Sequence, residues 1–129
     1  MEKSIAVFAI INLSIIGLSH LFQHDGWREF FSVLHDKGRI GAFANGFLAL
    51  FMGSMVVSFH NVWTGVPVIL TLMGWAWLAK AASIFLFPDW NVRSMQSARN
   101  ASPLKLRIAG LGLLSIALTL GMCLAFEQY

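Results

Sequence analysis

Apolar residues run almost without interruption through four stretches of this chain, roughly 4–22, 40–60, 66–87 and 104–126, and polar residues collect between them. Each stretch is about 20 residues long, and at ~1.5 Å of rise per residue such a helix covers the ~30 Å hydrocarbon layer of a bilayer. Lipid offers the backbone no hydrogen bonds, so a spanning segment must satisfy its own N–H and C=O groups as a helix. The pattern predicts an all-α fold: a four-transmembrane-helix bundle making one integral membrane domain over residues 1–129.

Between the first two spans the period changes. Trp27, Phe30, Phe31 and Leu34 recur at i, i+3, i+4 and i+7, while Arg28, Glu29, Ser32, His35, Asp36 and Lys37 take the other face. This predicts a short amphipathic interfacial helix over about 26–37, with Asp25 as N-cap and Gly38 as its stop. Its apolar face suits the headgroup region, aromatics down; a cap over the mouth of the bundle would use the same face. Residues 88–103 offer Asp89 as N-cap and Trp90 as interfacial anchor. Ser, Gln and Asn blur the stripe there, so a helix of two or three turns and a flexible loop are both open. On the other side the turn from His60 to Gly65 forces spans two and three into an antiparallel hairpin, with Asn61 ending one helix, Thr64 capping the next and Pro67 in its first turn.

A weak repeat runs through this layout. Arg39-Ile40 opens the second span and Arg107-Ile108 the fourth, with Ala49, Leu50 and Gly53 matching Ala117, Leu118 and Gly121 at that offset. Asp25 and Trp27 open one loop, Asp89 and Trp90 the other. Duplication would make the halves parallel copies of a helical hairpin about an axis along the membrane normal. Shared apolar composition explains the identities as readily.

Composition agrees with the membrane reading. The chain is 57% hydrophobic and 12% charged, against roughly 25% charged in soluble domains; too little charge is present to cover a core in water. Cys123 is the single cysteine, which excludes an internal disulfide. The charges give an orientation. Arg28, Lys37, Arg39, Arg93, Arg99, Lys105 and Arg107 flank the two long loops, and only Lys3 lies on the opposite side. Both long loops are expected in the cytoplasm and both termini outside, periplasmic in a bacterial inner membrane. A cleaved leader over residues 1–19 is disfavoured, because it would leave three spans and a basic loop outside.

Candidate chemistry is sparse. Ala42, Gly46, Ala49 and Gly53 in the second span, and Gly110, Ala117, Gly121 and Ala125 in the fourth, form small-residue stripes that let helices approach closely, within the chain or between copies. Lys80 lies seven positions before Phe87, roughly 10 Å inside the boundary. A charge at that depth is a functional candidate unless its stem snorkels to the headgroups. His20 and Asn45 share this depth. With Lys80, and with Arg39 and Arg107 at the helix entries, they are expected to form a basic layer facing the interior with no internal anion, completed by an anionic lipid headgroup. His20 and His24 stand at i, i+4 and are weak metal candidates, since a third ligand would have to converge. Asn12, Ser14, Ser54, Ser58 and Thr71 are expected to hydrogen-bond between helices. Trp75 and Trp77 point to nearly opposite faces of the third span. No phosphate loop, dinucleotide fingerprint, catalytic triad or zinc signature occurs. No cofactor and no nucleic-acid partner are expected, because the basic residues serve as topology signals.

The string Phe59-His60-Asn61-Val62-Trp63, then Gly74-Trp75, Lys80 and Pro88, resembles a family of small, uncharacterised bacterial four-helix integral membrane proteins with an FHNxW…GW…K…P pattern. The resemblance implies a bacterial inner-membrane protein and brings no activity with it. It makes the His60, Asn61 and Trp63 turn a second candidate site and strengthens Lys80. The expected role is non-enzymatic: a protein that self-associates or is accessory to a membrane complex and engages anionic lipid. An oligomeric channel or small-solute transporter is the alternative, and a metal-dependent membrane enzyme ranks third.

Overall fold

In the computed structural model, which describes residues 2–126, six helices follow one another: α1 (Glu2–Phe22), α2 (His24–Asp36), α3 (Arg39–Phe59), α4 (Val68–Leu86), α5 (Pro88–Arg99) and α6 (Pro103–Ala125). Among the described residues no strand occurs. Helices α1, α3, α4 and α6 are long and apolar enough to cross a bilayer, each within about two residues of its expected span. Residues 88–99, open between helix and loop on sequence alone, are helical for three turns.

The spanning helices associate as two pairs, α1 with α6 and α3 with α4. Small residues set both crossings. In α3–α4 a β-carbon on Gly53 would lie 3.0 Å from the carbonyl oxygen of Gly74, and in α1–α6 one on Gly110 would lie 2.7 Å from that of Gly17. Ala42, Gly46, Ala49 and Gly53 are all buried, so the α3 stripe is spent on packing within the chain. The α6 stripe is used only in part: Gly110 and Ala117 are buried, whereas a β-carbon on Gly121 would meet no neighbour within 4 Å and Ala125 is exposed.

At the end carrying the chain termini and the 60–67 turn, Ile5, Ala9 and Leu13 of α1 pack with Val56 of α3, Leu70 of α4 and Leu120 of α6 into one apolar core. At the opposite end the pairs are spaced by α2 and α5, which pack on each other. A second core forms there from Leu34, Ala42, Ile84 and Met95, with Phe31 and Val92 against it. The expectation that α2 rests its whole apolar face on headgroups is therefore corrected. Leu34 and Phe31 point into the bundle, while Phe30 and Val33 stay exposed. The competing reading, a cap over the mouth, describes the helix better, because the gap between the pairs provides apolar surface to cover.

Three expected caps are corrected as well. Helix α1 runs to Phe22, so Gln23 alone separates it from α2, which starts one residue before Asp25; Asp25 sits in the first turn and binds Arg28. Phe87 occupies the cap position of α5, Pro88 opens the helix without needing an N–H partner, and Asp89 lies in the first turn. Helix α4 begins only at Val68 with Pro67 at the cap, so Thr64 lies outside it. Gly38 does end α2, at a φ of 60° that side-chain-bearing residues rarely adopt.

The order long helix, short helix, long helix occurs twice. Asp25 and Asp89 are each the second residue of their short helices, and α1 and α4 each end one residue before the break. Exchanging the halves maps α1–α6 onto α4–α3 and α2–α5 onto itself. The pairing is what a pseudo-two-fold axis between the halves produces.

Candidate functional site

Polar side chains gather at two places. The first is the end built by α2 and α5. Arg39, opening α3, grips Asp89 with two nitrogens, Nε to Oδ1 at 3.0 Å and Nη2 to Oδ2 at 3.1 Å. The guanidinium beside Asp89 holds its carboxyl below the usual carboxylate range. Arg99 of α5 reaches Asp36 of α2 at 3.5 Å, and the His35 ring meets the Val92 carbonyl at 2.9 Å, its Nδ1 donating. Deeper, Asn45 of α3 donates from Nδ2 to Oδ1 of Asn91 at 3.4 Å, both side chains buried. On the α1 side the Trp27 indole donates to Ser19 Oγ at 2.8 Å and stacks on His20 with ring centroids 4.2 Å apart.

The expected layer of His20, Asn45 and Lys80 does not assemble as one hydrogen-bonded set. Asn45 turns to Asn91, which lies on the short helix that fills the gap between the pairs. His20 stays on its own helix, its Nδ1 2.9 Å from the Ile16 carbonyl. Lys80 is exposed on the outer face of α4. An internal anion also exists for one of the entry arginines, since Asp89 serves Arg39. The repeat-equivalent pair is not formed: Asp25 is engaged by His24 and Arg28, and Arg107 is exposed with no ion pair among the described residues. His20 and His24 gain no third partner; among the described residues no group of three His, Cys, Asp or Glu converges to hold a metal.

Asn91 had no signal in the sequence, since a polar residue in a polar segment is unremarkable until its helix is seen to turn inward. The Asn45–Asn91 contact is expected to couple by about 0.6 kcal/mol, the average for such bonds between membrane helices. Asn45→Leu and Asn91→Leu should each destabilise by stranding the other amide, and the double variant should recover part of the loss. Unfolding in a mixed-micelle denaturant series would test this; strictly additive losses would show that the amides do not support each other.

The second place is the turn between α3 and α4. Thr71 Oγ1 donates to the Val62 carbonyl at 2.8 Å and accepts the Val62 N–H at 3.1 Å. His60 Nδ1 lies 3.0 Å from the same oxygen. The hydroxyl proton is already committed to Val62, so His60 must be the donor, with its proton on Nδ1. Asn61 Nδ2 donates to the Val57 carbonyl at 3.0 Å, and Trp75 Nε1 donates to Asn61 Oδ1 at 3.4 Å. Three of these residues, His60, Asn61 and Trp75, belong to the string noted above. Trp63 is exposed and takes no part in these bonds. The geometry is that of a scaffold: His60 and Thr71 are fully buried.

Hydroxyls and amides along the spans mostly bond their own helices instead of neighbouring ones. Asn12 donates to the Phe8 carbonyl, Ser54 to Phe51, Ser83 to Ala79, Ser115 to Leu111 and Thr119 to Ser115. The reason is proximity: a carbonyl one turn back is always within reach, whereas a partner on another helix requires facing positions.

The fold and these sites define a multi-pass, all-helical membrane protein. No family model matches the chain, and no curated protein or solved structure matches it either.

Proposed function

We propose that this is a non-enzymatic protein of the bacterial inner membrane that engages anionic lipid headgroups through its α2/α5 end and self-associates or serves a membrane complex. One observation carries the reading. At that end Arg28, Arg39 and Arg99 occupy three of the four carboxylates, while Lys37, Arg93, Lys105 and Arg107 are exposed with no ion pair among the described residues. Juxtamembrane cations of this kind attract an anionic leaflet, by about 1 kcal/mol each. The same excess favours a cytoplasmic location for α2 and α5, with both termini outside. The resemblance of the Phe59–Pro88 string to small bacterial membrane proteins supports the bacterial assignment.

A conduction role draws less support, because Ser54, Ser83, Ser115 and Thr119 are occupied by carbonyls of their own helices and Lys80 is the one charge deep within a span among the described residues. The test is lipid retention. Protein taken from vesicles of mixed phosphatidylcholine and phosphatidylglycerol should carry phosphatidylglycerol preferentially in native mass spectrometry. Equal retention of the two lipids would refute the lipid role.

A further inference from the structure

The repeat supplies an internal comparison. Helices α2 and α5 start at His24 and Pro88, so 64 residues separate equivalent positions of the first two helices in each half. Each half has a groove where its spanning helix breaks toward the short helix. The first, of about 270 Å³, is lined by Ser19, Gln23, Gly26, Trp27 and Phe30. The second, of about 550 Å³, is lined chiefly by Ser83, Leu86, Phe87, Asp89, Trp90 and Arg93. Ser19 and Ser83 are equivalent, as are Gln23 and Phe87. The corner itself is thus a product of the repeated fold.

Its charge is not. Arg93, which lines the groove, stands where the first half has Glu29, and Lys80, one turn before the groove residue Ser83 on α4, stands where the first half has Ile16. Both cations are exposed. The one carboxylate in the groove, Asp89, is held by the two-nitrogen grip of Arg39, with a weaker attraction from Arg93, so its charge is chiefly offset by Arg39. Leu86, Phe87 and Trp90 are 71%, 66% and 55% exposed at the rim. Apolar surface for acyl chains therefore adjoins Arg93 near the end of a span, the depth at which a phosphate meets hydrocarbon, with Lys80 one turn further into the span. A lysine stem is about 6 Å long, against about 4.5 Å of helix rise over the three residues from Lys80 to Ser83, so snorkelling is long enough to bring the ammonium to the level of Ser83.

We propose that the α4–α5 corner is a binding site for one anionic phospholipid, its phosphate held by Lys80 and Arg93 and its chains lying on Leu86 and Phe87. The assignment rests on the lipid-engaging reading above and narrows it to one groove. The first-half corner, with Ile16 and Glu29, is the built-in negative control.

The experiment is native mass spectrometry of the full chain from mixed phosphatidylcholine and phosphatidylglycerol vesicles, with helical content checked by circular dichroism. Wild type should retain one phosphatidylglycerol in preference to phosphatidylcholine. Lys80→Ile and Arg93→Gln should each weaken that retention about five-fold, and together about 25-fold. Arg93→Lys, which keeps the charge, should retain the lipid, and Arg107→Gln, outside the groove, should leave it unchanged. If wild type prefers phosphatidylglycerol but the double variant matches it, the groove assignment is overturned and the wider reading survives. Equal losses from Arg107→Gln would likewise overturn the groove in favour of a diffuse rim, as would displacement of the lipid by inorganic phosphate. No preference in wild type would end both.

Discussion

Replacing Thr71 with Val is expected to lower the stability of the protein by about 3 kcal/mol, roughly 1 kcal/mol for each of three lost hydrogen bonds. Val has nearly the shape of Thr, so packing in the fully buried site is little disturbed. What is lost is one oxygen that serves three groups: the His60 ring N–H, the Val62 N–H and the Val62 carbonyl. Without it the His60 ring N–H loses the Thr71 acceptor, and Val62, which is half-buried, turns to whatever water reaches it. Thr71→Ser keeps the hydroxyl and should lose far less. The measurement is an equilibrium unfolding curve in mixed micelles, followed by the fluorescence of Trp63 and Trp75 beside the turn. A Val variant as stable as the Ser variant would show that the cluster is hydrated and that the hydroxyl is dispensable.

Gly41→Ala should be at least as damaging, although alanine is the better helix former by about 1 kcal/mol. Helix α2 ends against the first turn of α3, and the Leu34 carbonyl faces Gly41 directly. A β-carbon at Gly41 would overlap that carbonyl oxygen and lie 2.6 Å from the carbonyl carbon. Both atoms are backbone, so no side chain can rotate away; α2 must move bodily. Overpacking of a core side chain costs typically about 1–3 kcal/mol, and a backbone clash belongs at or above the top of that range. Because Leu34 also anchors the core with Ala42, Ile84 and Met95, α2 should detach together with its contacts to α5. Trypsin reports this directly: cleavage after Arg28 and Lys37 should accelerate in the variant. Unchanged cleavage and stability would mean that α2 does not lie as close to α3 as described.

These two residues show where sequence reading succeeds and stops. Thr71 stood among the polar residues expected to bond between helices; its partners are His60 and Val62 of the adjoining turn instead. His60 and Asn61 were singled out within the Phe59–Pro88 string, so much of the turn was visible before any fold was known. Gly41 was not, since it sits beside the Ala42 stripe and acquires meaning only when α2 folds back on it. Asp89 was read as a cap because it precedes a helical segment; Arg39, its partner, is fifty positions away, and no local pattern links the two. Lys80 illustrates the opposite error. Its distance from the end of the span was read from the count of residues to Phe87, and α4 does end at Leu86, but that count carries no angle, and the face it occupies on α4 is the exposed one.

Hydropathy alone determined the medium, the number and positions of the spans and the antiparallel hairpin of α3 and α4, because transfer into lipid is a property of each residue that sums along a helix. Which helix lies against which was decided only in three dimensions. The apolar faces of α1, α3, α4 and α6 are nearly equal in composition, so their pairing depends on where small residues on separate helices meet, as at Gly17 with Gly110 and Gly53 with Gly74. The gap those pairings leave is what draws α2 and α5 into the bundle, and with them the buried amides and the ion pair that local sequence could not connect.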